Sequence, residues 1–89
     1  MRAVITVLGK DMVGILAKVS AECAKHDVNV LEVTQSVLQD LFAMIMLVDI
    51  SKSNLPFSDL VDSLSAIGED MGLTVHVMHE DIFNSMHRI

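Results

Sequence analysis

The amino-acid sequence predicts a small α+β sandwich, a four-stranded antiparallel sheet with two helices on one face. Three observations carry that expectation. Apolar runs rich in β-branched residues take turns with segments of helical period; two of the runs are separated only by Gln39-Asp40; and 89 residues make one domain.

Arg2 to Leu8 is a short apolar run stopped by Gly9, which reads as a buried strand. The stretch Gly9-Lys10-Asp11-Met12-Val13-Gly14 follows. Ile15, Leu16, Val19 and Cys23 then fall at i, i+1, i+4 and i+8, one apolar stripe of a helix. Lys18, Glu22 and Lys25 lie on its other side, spaced for exposed ion pairs. Asp11 is placed in the N-cap region, and the helix is expected to end near His26-Asp27. Val28 to Leu38 and Leu41 to Ser51 form a hairpin around Gln39-Asp40. A polar connection, Lys52 to Pro56, leads to a second helix, where Pro56 suits the first turn. Leu60, Leu64, Ile67 and Met71 repeat at i, i+4, i+7 and i+11, and Gly72 stands where a C′ glycine belongs. Leu73 to Glu80 is the last strand, apolar at Leu73, Val75 and Val77.

The order βαββαβ describes a split βαβ pair, the ferredoxin-like sandwich, with strands arranged 4-1-3-2. The domain is expected to span residues 1–81, with 82–89 a tail packing on the sheet or on a partner.

Composition sharpens the picture. The chain is 52% hydrophobic with only three aromatic residues, Phe42, Phe57 and Phe83, and its mean hydropathy is +0.52. The longest apolar run, Leu41 to Val48, is far short of the ~20 residues of a membrane span. No export signal is expected from the start Met1-Arg2, and a lone cysteine, Cys23, suits a reducing cytoplasm. With net charge −6 and no run of Lys or Arg, nucleic-acid binding has no electrostatic footprint.

The excess of apolar residues concentrates in the third strand. Phe42, Met44, Met46, Val48 and Ile50 point to one face, and Leu41, Ala43, Ile45 and Leu47 to the other. A half-solvated sheet alternates apolar with polar, and this strand does not. Something therefore covers the back, either the tail, with Ile82, Phe83, Met86 and Ile89 at helical spacing, or a second copy. A homodimer is expected, by edge pairing of the second strand, by the back face, or by both. Its interface is assigned to Val30, Val33, Met44, Met46, Phe83 and Met86.

No catalytic constellation emerges. Cys23 and His26 are within reach of each other on a helix, but Cys23 completes the core stripe. His76 and His79 sit three apart on a strand and face opposite sides, so they cannot share an ion. His79 with His87 stays open if the tail folds back. The acids are scattered, and Gly9 to Gly14 lacks the Gly-Lys-Ser/Thr ending of a phosphate loop. No metal, cofactor or enzymatic activity is expected.

The strand RAVITVLG, the turn Gly9 to Leu16 and the segment His26-Asp27-Val28-Asn29-Val30 together resemble the ACT domain, a family of small βαββαβ modules that bind amino acids and regulate metabolic enzymes. The ending from Asp81 resembles that of short stand-alone ACT proteins of uncharacterised function. More distant similarity is to the ACT modules of the glycine cleavage system repressor and of formyltetrahydrofolate deformylase. The resemblance implies a regulatory dimer in which the first turn of one subunit and the second strand of its neighbour jointly hold an amino acid. By position, it implicates Asp11, Met12, Val13 and Gly14 in the turn, and Asn29 across the interface. A helix N-terminus suits a carboxylate, and an aspartate suits an ammonium. The competing expectation is an interaction module that dimerises, or docks on a regulated enzyme, without a small ligand.

Overall fold

The computed structural model describes residues 1–10 and 14–86, without the side chains of Leu38 and Met86. The elements run β1 (Arg2–Gly9), α1 (Ile15–Lys25), β2 (Asn29–Leu38), β3 (Leu41–Asp49), α2 (Phe57–Met71), β4 (Thr74–His79) and α3 (Glu80–Met86). The sheet order is β2-β3-β1-β4, antiparallel throughout. This is the ferredoxin-like arrangement expected from the sequence, with a third helix added directly after β4.

Residues opposed across an antiparallel pair share a face. Ala3, Ile5 and Val7 oppose Val48, Met46 and Met44. All six are fully buried, in one cluster with Ile15, Val19 and Cys23 of α1 and Leu60 and Leu64 of α2. This face carries the core. Met44 and Met46 are therefore not interface residues, contrary to the sequence expectation. The alternation of β3 was read correctly, but the bulky Phe42-Met44-Met46-Val48 row faces the helices. An aromatic-poor core uses methionine to fill the space under two helices.

The opposite face of β3 carries Leu41, Ala43, Ile45 and Leu47, of which Leu41 and Ile45 are exposed. On β1 the same face carries Arg2, Val4, Thr6 and Leu8. Val4 is buried although it lies outside the main core cluster. α3 packs against β1 and β4 and is tied to that face by the ion pair of Arg2 with Glu80, Nη2 to Oε2 2.7 Å. It thus shields one corner of the back, and Leu8, Leu41 and Ile45 remain open.

The helix ends follow local chemistry. α1 starts after Gly14, which occupies the N-cap position in the left-handed region (φ 75°, ψ 0°) and makes no side-chain cap. The expected cap, Asp11, lies outside the described residues. α2 begins after Pro56 and ends in a two-bond cap. Gly72 (φ 71°) donates to the Glu69 carbonyl and Leu73 to the Gly68 carbonyl at 2.7 Å, the pattern in which a left-handed glycine satisfies the last carbonyls. Leu16 was expected on the buried stripe of α1 but is exposed, so the stripe narrows to Ile15, Val19 and Cys23.

Candidate functional site

The turn between β1 and α1 presents Gly9, Lys10 and Gly14; Asp11, Met12 and Val13 lie outside the described residues. A Cβ built on Gly14 would meet nothing, so glycine stands there for its positive φ. Its carbonyl accepts the first helical bond, from Lys18 N–H at 2.9 Å. The first turn of α1 carries no acidic residue, and Gly14 offers no side-chain oxygen to its N–H groups. Those groups and the positive end of the helix dipole suit an anion.

Asn29, the other half of the expected site, opens β2 and is exposed. It opposes Asp49, which in turn opposes Arg2. Gly9 instead opposes Phe42, which opposes Val37. Asn29 and the turn therefore sit at opposite ends of the sheet, separated along β1 by about 23 Å at the rise of an extended strand. A single chain does not bring them together.

Of the remaining expected residues, Val30 is half-buried against the core, and Val33 is exposed on the edge strand β2. Phe83 is half-buried on α3, and Met86 closes that helix. His76 opposes Thr6 and His79 opposes Ala3, so the two imidazoles do face opposite sides of the sheet. His87 lies outside the described residues. Among the described residues no cluster of three or more metal-ligating side chains forms.

Cys23 is fully buried, and desolvation, with Glu22 adding a like-signed push, raises its thiol pKa to about 11. A thiol so placed stays protonated and makes a poor nucleophile. His26 turns away from it. Its Nε2 meets Glu22 Oε2 at 2.8 Å and its Nδ1 meets Asn54 Oδ1 at 3.2 Å. The Ser63 hydroxyl of α2 donates to the same Glu22 oxygen. Bonding to Ser63 first, then to His26, holds the Glu22 carboxyl below its ordinary range. The sequence reading took Glu22 as a solvated partner of lysines. The i, i+4 spacing of Glu22 and His26 was the available signal for this clasp; its link to Ser63 was not visible along the chain.

The sequence profile described as ACT domain matches residues 2–78. A UPF0237 protein of Methanopyrus kandleri is 46% identical over 88 residues, covering 99% of this chain and 98% of that one. The solved structure of an ACT domain protein from Streptococcus pneumoniae superposes with a TM-score of 0.82 at 34% identity, covering 93% of each chain. A formyltetrahydrofolate deformylase from Pseudomonas syringae superposes with a TM-score of 0.78 at 21% identity. The match takes in 88% of this chain and 27% of that one, and shares the fold. Among the described residues no helix is long and apolar enough to cross a membrane.

Proposed function

The chain belongs to the ACT domain family, a family known for regulatory ligand binding, and from that premise we propose that it is a non-enzymatic, cytoplasmic regulatory module that binds an amino acid as a homodimer. The observation that carries this reading is the split of the candidate site. The α1 N-terminus after Gly14 and the side chain of Asn29 lie at opposite ends of one sheet, and a second chain reunites them.

The exposed edge of β2 is the surface for that second chain. Leu31 (46% exposed), Val33 (36%) and Val37 (51%) stand along it, where an unpaired strand templates another. A two-fold axis at Thr34 pairs the two β2 strands antiparallel. Leu31 then opposes Val37, and Glu32 opposes Ser36, so no like charges meet. The same operation sets Asn29 of the second chain opposite Gln39, at the end of the sheet where Gly9 and the α1 N-terminus lie. The amino acid's carboxylate is then received by the N–H groups of the first turn of α1, and its ammonium by Asp11 and the Asn29 side-chain carbonyl.

The test is thermal unfolding with each of the twenty amino acids. A ligand at 100 times its Kd adds about 2.7 kcal/mol, which moves Tm by roughly 10 °C or more in a domain this small. One amino acid, or a narrow set, is expected to do so, and the effect is expected to be lost in Asn29→Ala. No shift with any amino acid would leave the second reading, a pure interaction module. That reading is favoured by the open back-face residues Leu8, Leu41 and Ile45.

A further inference from the structure

The corner where α1 turns into β2 is held from outside by Asn54, on the connection between β3 and α2. Its backbone N–H donates to the His26 carbonyl at 3.1 Å. Its side-chain Nδ2 donates to the Lys25 carbonyl and to the Asp27 carboxylate, each at 3.4 Å. Both of those partners only accept, so the amide oxygen is the atom turned toward the imidazole. It lies 3.2 Å from His26 Nδ1.

On the other side of the ring, Nε2 lies 2.8 Å from Glu22 Oε2. That carboxyl receives the Ser63 hydroxyl of α2, which holds it below its ordinary range, so it meets the ring as a carboxylate. His26 thus stands between two acceptors, its side chain 14% exposed. A neutral imidazole has one N–H and would turn a lone pair on one of them. The imidazolium donates to both. The charged groups at this corner are Glu22 and Lys25 on α1, Asp27 at the turn and Lys52 on the connection. Of these, Glu22 is the one bonded to the ring.

We propose that His26 is a proton-operated latch on the α1–β2 corner, closed when both ring nitrogens carry a proton and opened by the loss of one. An unfolded chain's histidine gives up its second proton near pH ~6.5. The closed corner holds that proton, so the latch stabilises fully below about pH 6.5 and its contribution is lost as pH rises through the point at which the bonded ring releases it. Opening loosens the Val28 N–H from the Cys23 carbonyl, 2.8 Å away, directly before Asn29 starts β2. Protons thereby regulate the placement of Asn29, a consequence for ligand binding that rests on the shared-site reading; the latch itself does not.

The test uses the full chain without added ligand, so its outcome is independent of amino-acid binding. Ring-nitrogen chemical shifts report how many protons each imidazole holds. His26 is expected to keep both to a higher pH in the folded chain than in the same chain unfolded in urea. Amide exchange, corrected for its intrinsic pH dependence, is expected to show Val28 and Asn54 losing about tenfold in protection from about pH 6 to about pH 8. His26→Gln, which cannot carry the proton, is expected to be flat across that range. Asn54→Ala, which removes the acceptor at Nδ1, is expected to lose most of the dependence at Val28. His76→Gln, on β4, is expected to keep it. Release of the His26 proton at the same pH folded and unfolded, undiminished dependence in a folded His26→Gln or Asn54→Ala chain, or its loss in His76→Gln would each overturn the proposal.

Discussion

Gly14 and Cys23 show what single residues contribute, one to the candidate site and the other to the core. Gly14 adopts a left-handed conformation with open space where a side chain would go. Gly14→Ala is therefore expected to lose about 1 kcal/mol through backbone strain alone, measured as a lower denaturant midpoint with an unchanged slope. Cys23, buried and with its thiol pKa pushed to about 11, is expected to resist thiol reagents at neutral pH and to react only once the chain unfolds. Met46 is expected to be costlier to truncate. Met46→Ala removes a fully buried side chain between the sheet and the helices, and a loss of about 2–5 kcal/mol in chemical denaturation is expected. The burial of Cys23 was legible from its place on the helical stripe. The burial of the β3 methionines was not, because alternation states which residues share a face and leaves open which face meets the helices.

Between elements, the clasp of Glu22, His26, Ser63 and Asn54 joins α1 to α2 and to the connection that follows β3. The Glu22 carboxyl is held below its unfolded value. Its contribution to stability is then fully present above the unfolded carboxylate pKa and is lost as pH falls through the lower folded value. Asp49, bonded by Ser51, is shifted in the same direction. Acid unfolding followed by circular dichroism is expected to show this, with Glu22→Gln less stable at neutral pH and flatter in its decline toward low pH. The elements themselves were legible because hydrophobic period, Gly72 and Pro56 agree along the chain. The start of α1 was not, because Gly14 takes the cap position by backbone conformation rather than by a side-chain oxygen. Contacts such as Ser63 with Glu22 depend on how two helices meet, which no local pattern encodes.

For the whole molecule, the described residues leave apolar side chains open along the β2 edge and on the part of the back face beyond α3. The composition announced such an excess, and the register locates it at Leu31, Val33 and Val37 on the edge and at Leu8, Leu41 and Ile45 on the back. The edge matters most for the proposed function, in which a second chain would return Asn29 to the turn. The most direct measurement is complementation between two variants, Asp11→Ala and Asn29→Ala, each tested alone and then mixed, with amino-acid binding followed by titration calorimetry. Each variant alone is expected to bind nothing, since every site in its dimer lacks one half. In the mixture, heterodimers carry one site with an intact turn from one chain and an intact Asn29 from the other, so binding is expected to return at about a quarter of the sites. A mixture as inactive as its parts, or full binding by either variant alone, would contradict a site shared between two chains.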